Sequence, residues 1–177
     1  LLGRGEPPQR EPDRKWFQLS AVSNLVERLR DLLERGDLTC ELCDRGMATP
    51  LPGQWPQRFG SGTFAGEVRT ALSPEGELAP IDRALDLLEA GQVMLIVSGS
   101  AAAVWGGRLT ARAKSRRASG VVVDGHVRDI VELRQAGMAL AARGLAPHRS
   151  DAAGSGEVDC RVDVEGQPVE SGDIIVA

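Results

Sequence analysis

Three charged side chains in the second half of the chain have the types and the spacing that chemistry on a small acid requires. Arg128 and Asp129 are adjacent, and Glu132 follows three residues after Asp129. The guanidinium of arginine holds a carboxylate with two parallel hydrogen bonds. Aspartate and glutamate supply the hard oxygen ligands that Mg²⁺ or Mn²⁺ prefers. The group therefore suits a small keto acid chelated to a divalent metal.

The same spacing has a second interpretation, and the spacing alone favours neither. Residues four apart on a helix share a face, so Arg128 and Glu132 would form a surface salt bridge worth about 0.3–0.5 kcal/mol and no chemistry. A nearby glycine pair favours a site. Gly106 and Gly107 lie between an apolar segment and a helical pattern, where a turn exposes backbone N–H groups that bind carboxylates.

Both features follow segments that have the composition of strands. The two clearest strands are QVMLIVS, residues 92–98, and GVVVD, residues 120–124. Short apolar runs of this kind are typical of parallel strands buried on both faces. Helical patterns alternate with them, which predicts a layered α/β domain with a mainly parallel central sheet. Because such sheets bind ligands beyond the carboxyl ends of their strands, Gly125 is expected to turn the chain and place Arg128 and Asp129 in that crevice.

Other segments complete the predicted domain. Residues 20–36 and 79–91 have the apolar spacing of amphipathic helices, and residues 63–72 form a candidate strand with a bulge at Gly66. The proline- and glycine-rich residues 48–62 are expected to be a loop. The inward-facing side chains are expected to be Leu25, Leu29, Leu32 and Leu33 in the first helix, and Ile81, Leu85 and Leu88 in the second.

Composition limits the classes of function. With a net charge of −4, the chain has no basic excess for nucleic acid. The basic run at residues 108–117 is more often a solvated helix face than a polyanion site. No apolar run is long enough for a membrane helix, and the first residues lack the pattern of a signal peptide. We expect a flexible arm over residues 1–15 and one domain over residues 16–177, in the cytoplasm.

A pair of cysteines, Cys40 and Cys43, forms a C-x-x-C motif. A structural zinc site needs four ligands, and the chain offers one further cysteine and two histidines, none at ligand spacing. The surrounding residues predict a short helix with Leu38 and Leu42 facing inward. Two packed thiols are therefore the favoured interpretation.

Residues 103–137 resemble the core of the RraA-like family, which includes 4-hydroxy-4-methyl-2-oxoglutarate aldolases, oxaloacetate decarboxylases and regulators of ribonuclease E. The enzymatic signature of that family is a glycine, twenty residues, Arg-Asp, two residues and then an acid. The chain has Gly107, twenty residues, Arg128-Asp129, two residues and Glu132. Weaker similarity extends over most of the chain beyond the N-terminal arm.

The resemblance implies a fold and an activity. The fold is a swivelling β/β/α-type layered domain, and the activity is metal-dependent cleavage of a C–C bond in a 2-keto acid through a metal-bound pyruvate enolate. Arg128 would bind the carboxylate with backbone N–H groups of Gly106, Gly107, Arg108 and Leu109. Asp129 would hold Mg²⁺ or Mn²⁺, and Glu132 would orient a metal-bound water. The resemblance also implies a homotrimer or a dimer of trimers.

Two alternatives come from the same resemblance: a non-catalytic regulator that binds a protein partner, or an enzyme remnant recruited to another role. Glu132 favours the lyase, because the pattern of the regulators lacks an acid there. Arg108 is a departure from many relatives, which carry a hydrophobic residue at that position, and it predicts a second cation near the substrate.

Three further residues near the motif are weaker candidates. Asp124 is expected to cap the strand end or the turn, with a role in the site as the alternative. Trp105 is expected to pack in the core or wall the pocket. His126 is either an exposed loop histidine or a proton relay.

Overall fold

The computed structural model describes residues 14–36, 38–60, 63–154 and 156–177. The expected arm, residues 1–15, lies outside this part of the chain except for its last two residues, which begin the first helix. The helices are α1 (Arg14–Leu33), α2 (Leu38–Asp44), α3 (Leu78–Leu87), α4 (Gly107–Ser115) and α5 (Ile130–Ala136). The strands are β1 (Gln57–Phe59), β2 (Ala65–Leu72), β3 (Val93–Val97), β4 (Ala103–Trp105), β5 (Gly120–Val127), β6 (Leu140–Leu145), β7 (Glu157–Val158), β8 (Val162–Val164), β9 (Gln167–Val169) and β10 (Ile174–Val176).

The central sheet has the order β1-β6-β5-β3-β2-β10, and its four inner strands are parallel. The outer strands β1 and β10 pair antiparallel with their neighbours, and the short β7 also pairs antiparallel with β2. Strand β4 extends the parallel pairing along the end of β5. The prediction of a mainly parallel central sheet is therefore confirmed.

Two hydrophobic cores lie on opposite faces of the sheet. In β3, Met94 and Ile96 pack with the helices α3, α4 and α5. Val93 and Leu95 point the other way and pack with the β8–β9 hairpin. This alternation follows from the two-residue period of a strand, and it gives three layers: hairpin, sheet and helices. The continuous apolar runs predicted as strands are apolar because both faces are covered.

The predicted inward face of α1 is partly wrong. Leu33 is buried and Leu29 is half-buried, as expected, but Leu25 and Leu32 are 46% and 44% exposed. Val26 is buried instead. Helix α1 lies against β2 near one edge of the sheet and covers little of the sheet. Only a narrow stripe of the helix is therefore buried. Arg30 occupies part of that stripe and donates hydrogen bonds to the carbonyls of Ala65 and Gly91.

Two local expectations about glycines are also wrong. The pairing of β2 with β10 runs through Gly66 without a bulge. A side chain at Gly66 would collide with the carbonyl of Gly91, so close approach of the backbone explains this glycine. Strand β5 does not end at Gly125 but continues to Val127, and its pairing with β6 shifts register between Val123 and His126.

Charges on α4 join that helix to α3. Arg112 forms ion pairs with Asp82 and Asp86, and Arg116 pairs with Asp86 at 3.3 Å. Arg108 is held more loosely, 3.9 Å from Asp82. The basic run at residues 108–117 is thus a helix face whose charges are largely engaged by a neighbouring helix. No helix in the described part of the chain is both long and apolar enough to cross a membrane.

Candidate functional site

The structure brings the glycine pair and the Arg-Asp pair together. β4 leads directly to Gly106 and β5 leads to Arg128, and these two strands are parallel neighbours. Helices α4 and α5 therefore begin side by side. The backbone N–H of Gly107 donates a hydrogen bond of 3.0 Å to the Oδ2 atom of Asp129, and the N–H of Arg128 donates to the carbonyl of Trp105.

Asp129 has an unusual backbone conformation. Its φ of 61° and ψ of 48° lie in the left-handed region, which costs a side-chain-bearing residue about 1 kcal/mol or more. It occupies the N-cap position of α5, yet its side chain makes no capping bond there. The carboxylate instead receives the first N–H of α4, where the partial positive charge of the helix favours an anion. The strained backbone thus directs the carboxylate towards Gly107.

The two glycines leave the space that this arrangement needs. A Cβ atom on Gly106 would collide with Oδ2 of Asp129, and one on Gly107 would lie 2.9 Å from the Cβ of Glu132. Neither glycine has a positive φ among the special backbone conformations of the chain. Their small size explains the motif, because the start of α5 packs directly on the start of α4.

Arg128 lies beside the carboxylate of Asp129. Its Nε atom is 3.4 Å from Oδ1 of Asp129, and about a third of its side chain is exposed. The structure gives its terminal nitrogens no protein partner in the described part of the chain. Arg128 precedes α5 and pairs with Asp129 rather than with Glu132, so the alternative of a helix salt bridge between Arg128 and Glu132 is wrong.

Glu132 lies in the first turn of α5 and is exposed. Its Cβ and Cγ atoms pack at the position where Gly107 lacks a side chain. It borders the site behind the glycine pair and is not among the residues that line the cavity described next. Its carboxylate can therefore act on a bound molecule only from the rim.

A small cavity of about 190 Å³ opens in front of these residues. Leu109, expected to bind substrate, is among its walls, and Gly107 is not. Trp105 is buried, and its indole N–H donates to Thr110 Oγ1 at 2.8 Å, so it both packs and walls the pocket. The lining residues that bear on binding are Trp105, Gly106, Arg108, Arg128, Asp129 and Arg149.

Backbone donors remain at the start of α4. The expected donor at Gly107 is already used by Asp129. The N–H groups of Arg108 and Leu109 lie in the first turn, where no preceding helical carbonyl accepts them. These two groups are available to an anion in the cavity.

Arg149 was missed by sequence reasoning. It lies in a loop after β6, and its backbone forms an isolated bridge with Ala103 of β4. Its position after a strand, at the edge of the sheet where ligands bind, was the available signal. Nothing in the local pattern showed that this loop would return to the start of α4.

Two of the three weaker candidates, Asp124 and His126, lie outside the cavity. Asp124 accepts a hydrogen bond of 2.7 Å from Nε of Arg143, whose guanidinium stacks 3.8 Å above the ring of Trp55. The Nδ1 atom of His126 is 3.2 Å from the carbonyl of Ser100. Neither Asp124 nor His126 lines the cavity. Both side chains are explained by these local partners.

The cysteines do not form a site. The prediction of two packed thiols is wrong for Cys40, which is exposed; Cys43 is half-buried, and both thiols are free. Leu38 is buried and Leu42 half-buried, as predicted for this short helix. Burial, with a smaller contribution from the charge of Glu157, raises the pKa of the Cys160 thiol above its ordinary value.

The donor set fits one kind of metal ion. The described residues contain no cluster of three or more His, Cys, Asp or Glu side chains that would enclose a metal. Asp129 offers one carboxylate, with lone pairs beyond those facing Gly107 and Arg128. Mg²⁺ keeps several waters and is commonly held by one or two carboxylates. The residues therefore fit a largely hydrated Mg²⁺ or Mn²⁺.

A larger cavity, of about 560 Å³, lies between α2, the residues after it and β10. Its walls are mainly apolar and contain neither the glycine pair nor Arg128, Asp129 or Glu132. The chemistry-bearing residues gather at the smaller cavity.

The parallel sheet, its three layers and the paired helix starts define a β/β/α-layered protein of the α/β class. A family model described as RraA-like, Aldolase/RraA, matches residues 39–177. The chain belongs to the RraA-like family.

The chain is similar to relatives and solved structures whose descriptions name an activity. The 4-hydroxy-4-methyl-2-oxoglutarate aldolase of Thermus thermophilus is 38% identical over 129 residues, which cover 72% of this chain and 78% of the relative. A solved structure of the RNA-processing inhibitor RraA from T. thermophilus has a TM-score of 0.64 and 37% identity, covering 68% of this chain and 75% of that one. An S-adenosylmethionine:2-dimethylmenaquinone methyltransferase from Geobacillus kaustophilus has a TM-score of 0.72 and 26% identity, covering 78% and 88%. These descriptions name three activities, so the site must indicate which one applies.

Proposed function

We propose that the protein is a divalent-metal-dependent lyase that cleaves a C–C bond of a 2-keto acid. The substrate class is that of a 4-hydroxy-4-methyl-2-oxoglutarate aldolase, an oxaloacetate decarboxylase or both. The observation that carries the proposal is the hydrogen bond from Gly107 to Asp129. It fixes one carboxylate beside one arginine at a cavity sized for a small acid.

Arg128 and the start of α4 bind and orient the substrate in this proposal. The unpartnered edge of the guanidinium donates two parallel hydrogen bonds to the carboxylate adjacent to the keto group. The N–H groups of Arg108 and Leu109 add donors at the positive end of a helix. The buried indole of Trp105 forms part of the wall beside the bound acid.

Asp129 is the residue that would hold the metal, and Glu132 would orient a water from the rim. When bound, the metal ion supplies a Lewis acid that polarises the keto oxygen. The bond from Gly107 to Oδ2 keeps the carboxylate of Asp129 in one orientation, so no reorganisation is needed during the reaction.

Both reactions leave an electron pair on the carbon next to the keto group. In aldol cleavage, the C3–C4 bond breaks, the C4 hydroxyl loses its proton to water, and C4 becomes a ketone. In decarboxylation, the bond to the departing carboxylate breaks and carbon dioxide leaves. A proton then adds to C3 in either case, and pyruvate results.

A regulatory role without catalysis is the alternative, because a relative is described as an RNA-processing inhibitor. Glu132 favours the lyase, since the resemblance places no acid there in the regulators.

The proposal also includes a cytoplasmic location, which suits the three free thiols. It further includes a homotrimer or a dimer of trimers; light scattering that gives a monomer mass at micromolar concentration would contradict the trimer.

Pyruvate release tests the function directly. Purified protein is incubated with oxaloacetate and, separately, with 4-hydroxy-4-methyl-2-oxoglutarate, each with Mg²⁺ and with EDTA. We expect enzyme-dependent pyruvate that EDTA abolishes and added Mg²⁺ restores. No pyruvate above the metal-only background from either substrate would overturn the lyase proposal and favour the regulator.

A further inference from the structure

The walls of the small cavity carry an excess of positive charge. Its lining includes three arginines, Arg108, Arg128 and Arg149, and a single acid, Asp129. One arginine suffices to bind the carboxylate adjacent to a keto group, and Arg128 is beside Asp129 for that purpose. Two cations therefore remain in the cavity without a role in the proposed function.

Arg149 is positioned by backbone contacts rather than by its charge. The carbonyl of His148 accepts from the N–H of Ala103, and the N–H of Ser150 donates to the carbonyl of Ala103. These bonds fix the chain on both sides of Arg149 against β4. Its side chain is exposed and forms no hydrogen bond or ion pair within the described residues. A fixed backbone with an unpartnered guanidinium at a cavity wall is suited to binding an anion.

Arg108 is the loosest member of the ion-pair series between α3 and α4. Its guanidinium lies 3.9 Å from Oδ1 of Asp82, and its side chain is 65% exposed. The same Oδ1 atom is engaged more closely by Arg112. Asp82 therefore keeps a partner when Arg108 turns towards the cavity, and an exposed pair of this kind contributes little stability.

We propose that Arg108 and Arg149 form a second anion subsite, which binds the far carboxylate of a dicarboxylic 2-keto acid. This inference rests on the proposed function and deepens it. The subsite suits substrates whose far carboxylate remains intact during the reaction. The protein is therefore expected to catalyse aldol cleavage better than decarboxylation.

The preference follows from the charge that each reaction retains. In aldol cleavage of 4-hydroxy-4-methyl-2-oxoglutarate, the far carboxylate remains an anion and ends in the second pyruvate. Its contacts with two guanidinium groups are kept throughout. In decarboxylation of oxaloacetate, the far carboxylate itself becomes neutral carbon dioxide. Cations around it stabilise the substrate more than the transition state, which slows that reaction.

Binding of unreactive analogues tests the subsite without turnover. 2-Oxoglutarate has two carboxylates, and 2-oxopentanoate has the same chain length without the far one. With Mg²⁺ present, calorimetry should give the wild-type protein about a 10- to 100-fold preference for 2-oxoglutarate, the scale of a charged hydrogen bond. The double variant R108Q/R149Q should lose this preference and still bind 2-oxopentanoate. Arg161→Gln, an exposed arginine outside the cavity, should behave as wild type.

Kinetics of the same variants separate the two reactions. We expect R149Q and R108Q/R149Q to raise KM for the aldol substrate about 10-fold or more, while kcat for oxaloacetate stays constant or rises. Equal analogue binding by the wild type, or a retained preference in the double variant, would overturn the subsite. An equal loss on both substrates would overturn the preference for aldol cleavage. If the wild type releases no pyruvate but prefers 2-oxoglutarate, the lyase proposal fails and the subsite stands.

Discussion

The N–H of Gly107 and the Oδ2 atom of Asp129 are joined by a hydrogen bond of 3.0 Å, although 22 positions separate the two residues. The bond links the starts of α4 and α5, because β4 and β5 deliver both helices to one edge of the sheet. It gives a physical reason for the spacing of the glycine and the Arg-Asp pair: one β-α crossover returns the chain beside its starting point.

Adding a methyl group at Gly106 tests this contact. In Gly106→Ala the new Cβ would collide with Oδ2 of Asp129. We expect the carboxylate to be displaced and pyruvate release to fall about 100-fold as catalytic geometry is lost. The free energy of unfolding should fall by about 1–3 kcal/mol. Gly36→Ala is the matched control, since its Cβ meets no atom within 4 Å. Wild-type activity in Gly106→Ala would show that this packing is not required.

Replacing the guanidinium while keeping its charge tests Arg128. Arg128→Lys should lose most activity, about 100-fold or more in kcat/KM as the substrate is misplaced, because an ammonium cannot hold a carboxylate through two parallel bonds. Arg134→Lys, on the exposed last turn of α5, is the control. Steady-state kinetics on oxaloacetate measure the difference. Near-equal rates for the two variants would mean that Arg128 acts only as a charge.

Glu132 should matter less than its neighbours, because it is exposed and lies at the rim. Glu132→Gln keeps the packing of Cβ and Cγ on Gly107 and removes only the charge. We expect a loss of about 10- to 100-fold in kcat, the usual scale for a residue that orients a metal-bound group, with unchanged thermal unfolding. An unaltered kcat would leave Glu132 with a packing role alone.

Local patterns predicted the elements whose burial is complete. β3 and β5 are continuous apolar runs because helices and a hairpin cover both faces. Ile81 and Leu85 of α3 are buried as their spacing indicates, and so is Leu88, which follows the helix. Strands β1 and β4 were missed, since each has three residues and depends on a partner strand for its conformation. Leu25 and Leu32 were misplaced because α1 covers only the region near an edge.

The sequence predicted those site residues whose type and spacing along the chain both indicate a site. It did not predict residues whose position depends on pairing between distant segments. The glycine pair, Arg128 and Asp129 follow consecutive strands, so the sheet brings them together. Arg149 reaches the cavity only because its backbone pairs with Ala103, a contact that no local sequence pattern reveals. The left-handed backbone of Asp129, which directs its carboxylate towards α4, was likewise hidden.

Metal dependence of Asp129→Asn tests the central claim most directly. Asparagine keeps an oxygen that accepts the N–H of Gly107, so the turn is preserved while the charge that binds a hard cation is lost. We predict that pyruvate release by this variant falls to the metal-only background and that added Mg²⁺ over a wide range does not restore it. A variant with wild-type activity and the wild-type dependence on Mg²⁺ would contradict the assignment of the metal to Asp129.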